Sequence, residues 1–474
     1  MSALPSDPSA WTLKQAADAV RSGAISSVEL TKAALACIGS WQPVVNAFIA
    51  LDAEGALKAA AAADARKTSG ALHGVPLAHK DMLDRPGRIT GCGSKVRGTH
   101  VAHTTSTVLA RLDAAGALDL GRLNMSEFAL GPTGLNAHHG RAKNPWAPER
   151  ITGGSSSGSG AAVGSGMVYG AIGSDTGGSI RLPSAMCGIA GLKPTQGRIS
   201  RYGAMPLSFS QDCLGPMAPT VADVALFYET IAGPDGLDST VAEHPVAKAA
   251  ARTDLKGLTI GLSDAWLEGL DAPTGKAHEA MRRLLADLGA KLINVTLPDP
   301  LELGELSNIL AMTEAAACHG DFLRAQPDDY GPQVRARLRQ GAAIPGALYL
   351  RAVAMRAPLL DAFVADFGEA DLLCLPAMPF LPPRSADVDG AAAAGGAAGA
   401  AAIPQMVAAI ARYSRPISYL GLPSLAQPIA WDSGLPIAMQ TVGRPFAESS
   451  ILSAGMAVET ALGFDRRRIP TLPH

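Results

Sequence analysis

A glycine- and serine-dense stretch from Gly153 to Pro183 constrains this chain more than any other. It opens Gly153-Gly154-Ser155-Ser156-Ser157-Gly158-Ser159-Gly160, passes through small residues, and closes Gly173-Ser174-Asp175-Thr176-Gly177-Gly178-Ser179-Ile180-Arg181-Leu182-Pro183. Glycine reaches backbone dihedrals closed to other residues and lets another group approach the main chain closely. Ser155 and Ser179 each follow a Gly-Gly pair, so each turn can offer a hydroxyl and bare amides to one small space. Acyl transfer needs that combination, a nucleophile and an oxyanion-binding pocket facing one carbonyl.

Other glycine-rich chemistries fit less well. A phosphate-cradling loop requires Gly-x-x-x-x-Gly-Lys-Ser/Thr, but Gly158 is followed by Ser159. The dinucleotide fingerprint also fails, because Tyr169 follows Gly164 and Gly166 without the third glycine. Gly154-Ser155-Ser156-Ser157-Gly158 matches the nucleophile elbow Gly-x-Ser-x-Gly, yet a Pro-containing loop precedes it where that elbow needs a strand. No His/Cys/Asp/Glu cluster has metal-ligand spacing, so no metal is expected.

Around this stretch the pattern alternates between helix and strand. Residues 12–70 read as helices, with Ser26-Ser27-Val28-Glu29 spaced as a capping box. Gly74–Asp81 is a short apolar run ending abruptly in Lys80, as expected of a buried strand that delivers its last residue into a cleft. Further strands are expected at 117–123, 167–173, 258–262, 291–295, 371–375, 424–430 and 435–442, with a helix of small residues at 160–166. This rhythm predicts an α/β fold with a large mixed, mostly buried sheet covered by helices on both faces. Residues 1–70 are expected to pack as a helical region on a single domain spanning 71–474. Asp389–Ala402, almost wholly Ala and Gly, reads as a flexible surface insertion in preference to a lid.

The totals bound the function. A hydrophobic content of 47% supplies a substantial core, and a net charge of −2 argues against a nucleic-acid binder. Six scattered cysteines without Cys-x-x-Cys spacing read as reduced thiols in a cytoplasmic protein. The first ten residues lack the features of a secretory leader, and no uncharged apolar run reaches the roughly 20 residues of a membrane span.

Taken together, Gly153–Gly158 and Asp175–Pro183 resemble the signature of the amidase signature family. Gly74-Val75-Pro76-Leu77-Ala78-His79-Lys80-Asp81 is similar to its lysine motif, and Asn144-Pro145-Trp146, Gly421-Leu422-Pro423 and Gly434-Leu435-Pro436 recur in it. The resemblance covers nearly the whole chain. It implies a Ser–cis-Ser–Lys triad of nucleophile Ser179, proton relay Ser155 and base Lys80, with a cis Gly154–Ser155 peptide. It also implies an oxyanion hole from the amides of Thr176, Gly177, Gly178 and Ser179, and no cofactor. A lysine near its ordinary pKa is protonated at neutral pH, so such a base requires burial among apolar groups. Asp175 and Arg181 read as scaffold that ties the glycine turn down, with Ser156, Ser157 and Ser174 in similar roles. The resemblance is to free-standing bacterial amidases, and the expected function is hydrolysis of a small, neutral amide through a serine acyl-enzyme. A carbamate, anilide or ester hydrolase is the alternative. A second alternative is the glutaminase subunit of a tRNA-dependent amidotransferase. Such subunits usually carry a Tyr-Asp-Gly-Val-Arg-Tyr-Gly-like segment, where this chain has Pro327-Asp328-Asp329-Tyr330-Gly331. The expected partners are a small-molecule substrate, no nucleic acid and no membrane, in a monomer or homodimer. Met125, Phe128, Ala129 and Gly131 are expected to line the acyl pocket, and Leu301–Tyr349 the leaving-group side without concentrated charge.

Overall fold

A computed structural model describes residues 4–66, 70–389, 405–464 and 467–472. From residue 390 on, the expected Ala/Gly-rich insertion lies outside the described residues. Eleven strands form one mixed sheet: β1 (Phe48–Leu51), β2 (Pro76–Lys80), β3 (Leu118–Leu123), β4 (Ala171–Asp175), β5 (Ala190–Lys193), β6 (Cys213–Ala218), β7 (Thr259–Leu262), β8 (Lys291–Asn294), β9 (Leu372–Pro376), β10 (Ser424–Asp432) and β11 (Leu435–Gly443). Their order across the sheet is β1-β3-β2-β4-β6-β5-β10-β11-β9-β7-β8. β2 runs parallel to both β3 and β4, β7 runs parallel to β8 and β9, and the central pairs are antiparallel. Every residue of β2, β4, β6 and β11 is buried, as expected of strands covered on both faces.

Local chemistry sets the element ends. Ser26 and Glu29 form the expected capping box: the Ser26 hydroxyl accepts from the Glu29 amide at 3.1 Å, and Glu29 Oε2 accepts from the Ser26 amide at 2.9 Å. The small-residue helix, Ser157–Gly164, is buried along its whole length. A β-carbon on Gly158 would meet Ala47 O and the Asn124 amide at 2.4 Å, so only glycine lets this helix approach the sheet so closely.

Three strands escape the sequence pattern. β1 follows a 19-residue helix within the segment read as helical, and its four residues pair with β3. β5 is equally short, and β6 reads Cys-Leu-Gly-Pro-Met-Ala, whose Gly-Pro pair signals a turn until Pro216 is seen opposite Ile172 of β4. β4 itself lies later than expected, at 171–175 instead of 167–173. Its last residues are therefore Ser174 and Asp175, which it carries to the same end of the sheet as Lys80 of β2.

Candidate active site

Lys80 is the last residue of β2 and is wholly buried. Its ammonium nitrogen lies 2.7 Å from Ser155 Oγ and 2.8 Å from Ser174 Oγ, both buried as well. Burial pulls this amine down to about 7, against smaller upward pulls from Asp212 and Asp175. Near neutral pH a substantial fraction is therefore uncharged. Asp81, its chain neighbour, does not pair with it; that carboxylate accepts from the amides of Gly91 and Gly93 and from Arg122.

The Gly154–Ser155 peptide is cis, as the resemblance implied. A β-carbon on Gly154 would stand 2.5 Å from Gly131 O, so glycine is required where the two loops cross. The Ser155 carbonyl accepts from the Ser126 amide at 3.0 Å, and the Ser179 carbonyl accepts from the Ser156 amide at 3.3 Å, which ties the two serine turns together. Ser179 is partly exposed, at the floor of a cavity of about 480 Å³ that Gly154, Thr176 and Gly177 also line.

Asp175 and Arg181 hold the second turn, as expected of scaffold. Asp175 accepts from the Gly178 amide at 2.7 Å, the Ile180 amide at 3.1 Å and Arg181 Nε at 3.0 Å. Arg181 and hydrogen bonds hold this carboxyl at about 2 despite its burial. Arg181 reaches on to Gln440, Ser418 and the Ser414 carbonyl, fixing the turn to β11 and to helix Ser414–Tyr419. Thr176 is anchored through its hydroxyl to Asp212 at 2.5 Å.

Four expectations change. The Gly178 amide is committed to Asp175 and points away from oxyanion duty; among the described residues, the amides of Thr176, Gly177 and Ser179 have no acceptor and remain open for it. Ala129 and Gly131 line the cavity, but Met125 and Phe128 do not. Phe128 takes a positive φ of 48°, which turns its ring onto His319 (centroids 4.3 Å apart) and Tyr330 (5.6 Å), while Met125 is buried in the core. Ser174 is a direct partner of the lysine and not merely part of the turn scaffold. Lastly, the cavity wall from the 301–349 segment is charged: Glu305 and Arg337 line it, and Arg415 joins them beside Gly304.

A family model described as Amidase matches residues 29–452. The chain belongs to the Amidase family. This amidase-family chain is 37% identical, over 98% of both sequences, to a subunit of the glutamyl-tRNA(Gln) amidotransferase of Roseiflexus sp. (strain RS-1). It is 33% identical, with a TM-score of 0.84 over 98% of this chain and 100% of the other, to a chain solved in an unexpected vestigial protein complex that bears on the evolutionary origins of an s-triazine catabolic enzyme. A peptide amidase from Stenotrophomonas maltophilia is 29% identical with a TM-score of 0.81, over 98% of this chain and 99% of that one.

These relatives correct the expected partners. A chain acting alone on a small molecule, with nucleic acid excluded, does not stand when a relative at 37% identity is named as part of an amidotransferase for glutamyl-tRNA. A balanced net charge bears on a basic face of this chain; it does not bear on membership of an assembly in which another surface meets nucleic acid. Among the described residues no helix is long and apolar enough to cross a membrane.

Proposed function

We propose that this chain cleaves an amide C–N bond through an acyl-enzyme on Ser179, with Ser155 as proton relay and Lys80 as base. The observation that carries the proposal is the buried lysine, shifted toward neutrality, hydrogen-bonded to Ser155 at 2.7 Å beside the turn that bears Ser179. Ser179 Oγ attacks the carbonyl carbon; its proton passes to Ser155 Oγ, and the Ser155 proton passes to the neutral Lys80 amine. The new oxyanion accepts from the Thr176, Gly177 and Ser179 amides, an arrangement in which each lost donor costs about 10²–10³ in rate. The proton then returns through Ser155 to the leaving nitrogen, the C–N bond breaks, and the amine departs. Water repeats the sequence on the serine ester and releases the acid.

The relatives favour one physiological form of this reaction: the glutaminase subunit of a tRNA-dependent amidotransferase, which would supply ammonia from an amide to a second active site. A second reading, hydrolysis of a small amide, carbamate, anilide or ester for its own product, is favoured by Pro327-Asp328-Asp329-Tyr330-Gly331. That segment stands where the glutamine-handling segment of such subunits is expected, and Tyr330 is turned inward onto Phe128 and His319. The deciding experiment measures acid and ammonia or amine released from glutamine and from a panel of primary amides, p-nitroanilides, esters and carbamates, with Ser179→Ala as control. Turnover that survives Ser179→Ala removes the proposed nucleophile.

A further inference from the structure

Two arginines of the active-site cavity are left without work by the reaction above. Arg337 comes from helix Pro332–Ala342 and Arg415 from helix Ser414–Tyr419; both are half-buried, and both line the cavity that holds Ser179. Their placement is close to the reacting centre. A β-carbon built on Gly131 would lie 3.9 Å from Arg337 Nη1, and one built on Gly177 would lie 3.4 Å from Arg415 Cγ. One arginine therefore borders the loop that crosses the Ser155 turn, and the other borders a candidate oxyanion donor.

Among the described residues neither guanidinium donates a hydrogen bond or forms an ion pair. By contrast Arg181, Arg198 and Arg467, the buried arginines among the described residues, are each committed to several acceptors. Two cations facing one cavity also repel: burial and then the charge of Arg415 pull Arg337 down to about 10. Among the described residues Glu305 is the one carboxylate that lines the cavity, and it acts on Arg415 at a distance. The nitrogens of both arginines are reached by the water of the cavity, so the donors are free to turn to an anion that displaces that water.

We infer that Arg337 and Arg415 form a carboxylate-binding subsite; because Arg337 stands beside Gly131, on the wall expected to hold the acyl group and not on the leaving-group side expected of 301–349, the amide cleaved at Ser179 carries an ionised carboxylate on its acyl side. A guanidinium fork suits a carboxylate's two oxygens, and Arg holds its charge throughout the working pH range. The inference deepens the proposed reaction, rests on that reading for the identity of the site, and replaces the neutral substrate expected from the sequence. The carboxylate has two sources to separate, an amino acid such as glutamine or the monoamide of a simple dicarboxylic acid.

Binding to the full-length Ser179→Ala protein tests this without any need for turnover. Isothermal titration compares succinamate and glutaramate with their uncharged counterparts butyramide and valeramide, and adds glutamine as a fifth ligand. The acids are expected to bind at least about tenfold more tightly than the neutral amides, with an advantage that shrinks in high salt. Arg337→Gln and Arg415→Gln should each reduce that advantage about tenfold, while Arg337→Lys and Arg415→Lys, which keep the charge, should restore part of it. Tighter binding of glutamine than of glutaramate assigns the carboxylate to an amino acid, and the reverse assigns it to a dicarboxylic monoamide; either supports the subsite. Equal affinity for acids and neutral amides, no measurable binding of any acid, or an unchanged preference in both glutamine variants overturns it. Failure of the hydrolytic proposal would instead appear as unchanged turnover in Ser179→Ala, so the two ideas fail separately.

Discussion

Replacing Lys80 by methionine removes the amine while roughly keeping its volume, and it should change activity and stability in opposite directions. With the folded amine at about 7 and its ordinary value at 10.5, about half is neutral at pH 7 in the folded protein, against roughly 3 in 10⁴ for an unperturbed lysine. The burial thus makes the base about a thousand times more available. The wild-type rate on a simple amide should climb about tenfold per pH unit below 7 and level off above it, and Lys80→Met should lose at least about 10³ in kcat between pH 7 and 9, a gap that narrows as pH falls. The cost appears in stability. Between pH 7 and 10.5 the unfolded chain holds a proton that the folded chain has released, so this group makes stability rise with pH across that window. At pH 7 the accumulated penalty is about 4 kcal/mol, offset in part by the hydrogen bonds to Ser155 and Ser174. Urea denaturation at pH 6, 7, 8.5 and 10 should find Lys80→Met more stable than wild type at pH 6 and 7, with the difference fading by pH 10. A rate profile flat between pH 5.5 and 8, a variant within tenfold of wild-type activity, or a stability difference that does not change with pH would refute the assignment of Lys80 as a desolvated base.

Ser179→Ala should abolish turnover while leaving the denaturation midpoint within about 0.5 kcal/mol, because this hydroxyl faces the cavity and not the core. Ser174→Ala removes one of the two hydrogen-bond acceptors on Lys80; with the charged amine less well solvated, the midpoint of the rate profile should move to lower pH as kcat falls. Asp175→Asn breaks a buried pair with Arg181 and should cost about 3–5 kcal/mol, read as a lower urea midpoint. Gly178→Ala, at φ +125° with its β-carbon only 2.2 Å from Ser414 Oγ, should destabilise the turn and lower kcat, since Ser414 is held in place by its bond to the Gly177 carbonyl.

What could be read from the chain divides along a physical line. The glycine turns were legible because a backbone demand is written in the residue that meets it: Gly154 is needed where a side chain would strike Gly131 O, and Gly158 where one would strike Ala47 O. Lys80 was legible because an apolar run ending in a cation states its own desolvation. Ser174 and the arginines of the cavity were not, since their partners come from elsewhere in the chain. Ser174 meets Lys80 only because β4 begins four residues later than its apolar run suggests, and that register depends on pairing with β6, a strand whose Gly-Pro sequence disguises it. Arg337 and Arg415 lie on separate helices and come to one cavity only in the folded chain. The same distinction explains why the reaction was easier to read than its substrate. Bond-making depends on short local motifs under backbone constraint, whereas selectivity is assembled from distant helices whose side chains are free to change without disturbing the turns. A charged wall facing a reaction that needs no charge on its substrate is the ground on which a carboxylate subsite is proposed, and anionic amides are accordingly the substrates whose turnover would bear that proposal out.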